Sequence, residues 1–180
     1  MFEGKYPSGR FEYTAEKISA SENGVRVNLI CEKELCEKLG APRLIQAVYT
    51  LTERGVTVDV SWFGKDANRL TEALYLNLFP DADEVLLKKL GSYIRPDEVA
   101  LNGSRNLHAV QSVCFGAYEI KNLHTPLASF GRGKILEFDN KLESIRKYGI
   151  SFVLQNNVWG TNFPLWYEDN ARLVFEIGLR

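Results

Sequence analysis

The sequence holds 180 residues, with 22 lysines and arginines against 23 aspartates and glutamates and a formal charge of −1. A chain of this length buries roughly 70% of its unfolded surface, so one domain spanning 1–180 is expected. Acidic and basic residues alternate, which leaves no basic face for a phosphate backbone or an anionic bilayer; neither nucleic acid nor membrane is an expected partner. No run approaches the ~20 apolar residues of a membrane helix, and residues 1–7 lack the basic-then-apolar order of a leader peptide. Cys31, Cys36 and Cys114 match no paired metal-ligand spacing, so no cofactor or metal is expected, and reduced structural thiols point to a reducing, cytoplasmic compartment.

Period-two alternation dominates the chain. Phe11 to Ile18 reads as a strand that pairs with Val25, Val27, Leu29 and Cys31 across a tight turn at Asn23-Gly24. Ile45, Ala47, Tyr49 and Leu51 alternate with polar residues, and after Glu53-Arg54-Gly55 the same pattern returns as Val56, Val58, Val60 and Trp62, which predicts an antiparallel hairpin. Further strands are expected at Leu74 to Leu78, Val110 to Ile120, Ile150 to Leu154 and Leu173 to Leu179. Asp83 to Gly91 fits either a short capped helix or a buried strand, and Gly131 to Tyr148 reads as a surface insertion with an irregular or helical turn. Many short strands without a strand-helix-strand rhythm predict an all-β antiparallel sandwich with little helix, in which Val58, Val60, Leu76, Phe152, Leu154, Phe175 and Ile177 are buried.

Chemistry concentrates in three places. Gln155 to Tyr167 gathers amides (Gln155, Asn156, Asn157, Asn162) and indoles (Trp159, Trp166) where strand gives way to turn. Sugars present apolar CH faces to aromatic rings and hydroxyls to amides, so Asn156, Asn157, Trp159, Thr161, Asn162 and Trp166 are carbohydrate-contact candidates; the same residues also suit a tight turn packed on a neighbouring domain. Trp62 to Ala73 places polar groups beside aromatics, with Arg69 and Glu72 as an ordered pair; these two and His108 join the candidates for carbohydrate or domain-interface contact. His108 and His124 could titrate near neutral pH, but neither lies in a nucleophile or metal motif, and a hydrogen-bonded structural role is the plainer expectation for each. Gly131-Arg132-Gly133-Lys134 lacks the spacing of a phosphate loop.

Trp62-Phe63-x-Lys65-x-Ala67-Asn68-Arg69-Leu70-x-Glu72-Ala73-Leu74, Leu107-His108-Ala109-Val110, Thr125-Pro126-Leu127-Ala128-Ser129 and Asn156-Asn157-x-Trp159-Gly160-Thr161-Asn162-Phe163-Pro164 together resemble the C-terminal part of an uncharacterised family of large proteins. Those proteins are similar to glycoside hydrolase family 38, the α-mannosidases. The resemblance covers the chain from about Gly40 onward. It implies a galactose mutarotase-like β-supersandwich that follows a separate catalytic barrel, with the metal, nucleophile and acid/base residues in that barrel. The function implied is a non-catalytic accessory domain that supports the barrel and contacts carbohydrate, with no turnover by this chain alone. A free-standing carbohydrate-binding module, or a mutarotase-like epimerase working through His108 or His124 and a carboxylate, are the other readings.

Overall fold

In the computed structural model of the protein, residues 9–99, 104–131, 141–157 and 166–180 are described. The alternating runs form strands as expected: β1 (Thr14–Ser21), β2 (Gly24–Ile30), β3 (Leu44–Thr52) and β4 (Gly55–Phe63) make a four-stranded meander. The first turn is Glu22-Asn23, because Gly24 already pairs with Ser21. Gly24 is needed for a different reason from the one its turn dipeptide suggests: a Cβ there would lie 2.1 Å from the Tyr49 carbonyl oxygen of β3.

Between β2 and β3 lies a helix that the period-two pattern gives no sign of, α1 (Lys33–Leu39). Glu34 faces Lys38 and Lys33 faces Glu37 one turn apart. Gly40 ends the helix at φ 69°, and its N–H returns to the Cys36 carbonyl.

The remaining strands are β5 (Ala73–Leu78), β6 (Leu86–Lys89), β7 (Ser92–Ile94), β8 (Leu107–Ala109), β9 (Ser112–Phe115), β10 (Tyr118–Asn122), β11 (Leu127–Phe130), β12 (Ile150–Asn156) and β13 (Ala171–Leu179). Within the ambiguous 83–91 segment Leu86–Lys89 is strand, with Leu90 and Gly91 both at positive φ in a two-residue hairpin loop to β7. Val110 to Ile120, expected as one strand, is instead folded back at Gly116-Ala117 into β9 and β10. One helical turn, α2 (Ile145–Tyr148), closes the expected insertion, capped by the Ser144 hydroxyl and anchored by buried Ile145; residues 132–140 of that insertion lie outside the described residues.

All pairings are antiparallel and form two sheets, ordered β1-β2-β3-β4-β13-β10-β9-β6-β7 and β5-β12-β11-β8. The fold is the expected all-β sandwich. Phe152 of β12 meets Phe175 of β13 edge to face, 5.2 Å between ring centroids, and joins the two layers.

Unequal strand numbers leave part of the large sheet uncovered. Along the single cross-strand row Leu51, Val56, Ile177, Ile120, Val113, Leu87, exposure falls from 67% at Leu51 to 0% at Leu87. At this end of the large sheet the covered side is therefore β10-β9-β6, whereas farther along the strands Ile45, Val58, Val60, Trp62 and Phe175 are buried on β3, β4 and β13. Val58, Val60, Phe152 and Phe175 are buried as expected, whereas Leu76, Leu154 and Ile177 are half-buried and pack against the core from its margin. Leu154 occupies a bulge in the β12–β5 ladder, between Val153 and Gln155, which interrupts the alternation that would have turned it fully inward.

Candidate functional site at one rim of the sandwich

β3 begins, β4 ends and β13 begins at the same rim of the large sheet, where Leu44 pairs with Phe63 and Trp62 with Ala171. At the small sheet, β5 begins at Ala73 and β12 ends at Asn156, which pair with each other. The loop from Gly64 to Glu72 connects β4 in one sheet to β5 in the other. It is the loop singled out by its mixture of polar and aromatic residues.

Lys65 is the hub of that loop. Its side chain is 1% exposed, and its ammonium donates to Glu72 Oε1 at 2.6 Å and to the Gly40 carbonyl at the end of α1 at 2.9 Å. An ammonium so enclosed is tolerable only when it is paired and hydrogen-bonded. Asn68 adds a second tie to α1, donating from Nδ2 to the Leu39 carbonyl at 2.8 Å while its Oδ1 accepts from the Leu70 N–H.

Asn157 then joins β12 to the same loop. Its Oδ1 accepts from the Glu72 N–H at 2.6 Å, its Nδ2 donates to the Leu70 carbonyl at 2.7 Å, and its own N–H donates to the Glu72 carbonyl at 3.0 Å. Glu72 and Asn157, named separately from sequence, are thus neighbours across 85 residues. Arg69 is exposed on the loop surface and Asn156 sits in β12 opposite Ala73, its Oδ1 enclosed. Trp159, Thr161 and Asn162 lie outside the described residues.

The end of the amide- and indole-rich segment returns to this rim. Tyr167 packs edge to face on buried Trp62, whose indole N–H donates to the Asp169 carbonyl at 3.2 Å. Asn170 Oδ1 accepts from the Gly64 N–H at 3.1 Å. Trp166, which precedes Tyr167 in the chain, has 44% of its surface in solvent.

His108 is elsewhere. It projects from β8 at the far edge of the small sheet, two strands from β12, and is buried between the layers against Phe130. The Lys89 ammonium donates to its Nδ1 at 3.3 Å and its Nε2 bonds the Arg105 carbonyl at 3.1 Å, which requires the neutral Nε2–H form. Burial, with the Lys89 charge adding to it, pushes its pKa below the usual histidine value. His124 accepts the Val174 N–H through Nδ1 at 3.0 Å and so extends the β10–β13 edge. Both histidines act as structural hydrogen-bonding groups.

The rim is built to hold shape and offer contacts. Glu72 is engaged with Lys65, and among the described residues no three histidine, cysteine, aspartate or glutamate side chains group as metal ligands do. A shallow groove of about 450 Å³ lies at the opposite end of the large sheet, beside Arg54, Glu119, Lys121 and Glu176. It carries mixed surface charge, with Lys121 and Glu176 4.0 Å apart, and none of the amide or aromatic groups of the rim. The sequence motif contains Lys65 but gives it no role; its only local signal is a lysine placed two residues past the end of β4.

No protein-family model, curated protein or solved structure matches this chain.

Proposed function

We propose that this chain is a non-catalytic β-sandwich domain of an α-mannosidase-like glycoside hydrolase, supporting a catalytic barrel and contacting carbohydrate through the rim around Glu72, Asn157 and Trp166. One observation carries the reading. Two motif-bearing stretches remote in sequence, Trp62 to Ala73 and Asn156-Asn157, are joined by hydrogen bonds at one rim, to which Tyr167 and Asn170 also return, and Trp166, next to Tyr167 in the chain, keeps 44% of its surface in solvent. An exposed indole is costly, and its burial by a sugar face or a partner domain releases that cost. The structural bonding of His108 and His124 gives the mutarotase-like alternative no pair of groups to work with.

The reading is tested by incubating the purified chain with aryl α-mannosides, with and without divalent metal. No turnover is expected, since the reacting groups belong to the barrel. Metal-dependent hydrolysis by this chain alone, with contamination excluded, overturns the accessory role. In parallel, Trp159→Ala should weaken glycan binding or docking by about 1–3 kcal/mol if the indole is an anchor.

A further inference from the structure

Cys31 directly follows β2 and Cys36 lies within α1, and their sulfurs stand 3.0 Å apart. That gap is within about 1 Å of the ~2.05 Å of a disulfide bond. Both sulfurs face the Pro42 carbonyl, at 3.8 and 3.9 Å, and the Tyr13 hydroxyl donates to that same oxygen at 2.9 Å. Cys36 is buried, while Cys31 keeps partial access to solvent. Cys114 is five strands from β2 across the large sheet, roughly 24 Å at ~4.8 Å per strand, and so cannot join either of them without unfolding.

We propose that Cys31 and Cys36 are a redox-active dithiol that closes to an intrachain disulfide by exchange with a small disulfide of the glutathione class. Cys31, the accessible thiol, loses its proton and attacks one sulfur of glutathione disulfide. A bond forms between Cys31 Sγ and glutathione, and the other glutathione leaves as a thiolate that takes up a proton. Cys36 then loses its proton and attacks Cys31 Sγ, which breaks the mixed disulfide and releases the second glutathione as a thiol. Two protein thiols are oxidised and one glutathione disulfide is reduced to two thiols; no other oxidant takes part.

Access sets this order, and the Cys36 thiol supports it, held up at about 11 by burial and by the adjacent Cys31. The consequence reaches the rim. Leu39 and Gly40, at the end of α1, hold Asn68 and Lys65 through their carbonyls, so a bond from β2 into α1 adds a covalent tie behind that network.

The test equilibrates the whole chain in buffers of increasing oxidised-to-reduced glutathione ratio, quenches with acid, and alkylates under denaturing conditions before intact mass measurement and peptide mapping. The reduced protein should carry label on all three cysteines. The oxidised protein should carry label on Cys114 alone, with Cys31 and Cys36 linked. Cys36→Ser should instead retain one glutathione on Cys31, and Cys31→Ser should form neither adduct nor bond while folded. Three labels on the wild type at every ratio, a stable glutathione adduct on the wild type, or a bond that involves Cys114 or a second chain would each overturn the proposal.

Discussion

Two regions of this sandwich bury polar side chains, and they differ in how completely those groups are satisfied. At the rim, Lys65, Glu72 and Asn157 close their bonds on one another and on the backbone of α1 and the connecting loop. At the β8 edge, Asn106 is 1% exposed, yet neither its side-chain oxygen nor its side-chain nitrogen has a hydrogen-bond partner among the described residues, and the Ser129 hydroxyl is in the same position. The Lys65–Glu72–Asn157 network therefore gains definition from its polar groups, whereas the β8 edge, like Gln155 Nε2 and Asn156 Oδ1 at the neighbouring end of β12, bears an unrelieved desolvation cost. The segment that carries Trp166 is tied to the rim through Tyr167 on buried Trp62 and through Asn170, whose Oδ1 accepts from the Gly64 N–H.

The largest effect should come from uncoupling the buried ion pair. Glu72→Ala strands the Lys65 ammonium, and because Glu72 is a fifth exposed the cost should be about 2–4 kcal/mol, somewhat below that for a fully buried pair. Urea unfolding followed by circular dichroism gives the midpoint shift, and the double variant Lys65→Met with Glu72→Leu should recover most of it. If the single variant unfolds at the wild-type midpoint, the rim is not held by this pair.

The next comparison makes the same substitution in both regions. Asn157→Leu removes two side-chain bonds to a partly buried backbone and should destabilise by about 1–3 kcal/mol. Asn106→Leu, of similar volume, removes two amide atoms without partners and should be neutral or stabilising by about 1 kcal/mol. Equal losses at the two sites would erase the distinction drawn between them.

The smallest effect concerns pH. His108 in the folded chain has a pKa below the 6.5 of the unfolded state. Above that value both states are neutral and the imidazole adds no pH dependence. As the pH falls through about 6.5 the unfolded chain takes up the proton first, so stability is lost toward acid. Unfolding midpoints measured between pH 8 and 5 should show this loss in the wild type and a shallower slope in His108→Gln. A slope that the substitution leaves unchanged would place the acid sensitivity elsewhere.

How much of this was legible in the sequence varies with the range of the interaction. The β3–β4 hairpin is written in neighbouring residues, because the Val56, Val58, Val60 and Trp62 alternation reports a face that is buried on one side only. β9 and β10 merge into one apparent strand because Gly116, at φ 54°, is a lone turn residue between them, with no Asn, Asp or Pro beside it to mark the turn. α1 escapes notice because seven residues with few apolar positions give little helical period. At the site, composition named Glu72 and Asn157, but their union is made by the pairing of β5 with β12, and the ties of Lys65 to Glu72 and to the Gly40 carbonyl come from a third part of the chain. His108 stands out as a titratable group, while its neutral form follows from burial between the layers, with the Lys89 charge from the opposite sheet adding to it, and local spacing encodes neither.

The most direct measurement of the rim's role is a calorimetric titration of a mannose oligosaccharide into the wild-type chain and into Trp166→Ala, with thermal unfolding recorded for both. Trp166 is partly exposed, so its removal should leave the unfolding midpoint nearly unchanged. Affinity should fall by about 1–3 kcal/mol, from roughly fivefold to somewhat over a hundredfold. Equal affinities for the two proteins, or no binding by a wild type that is fully folded, would contradict carbohydrate contact at this rim.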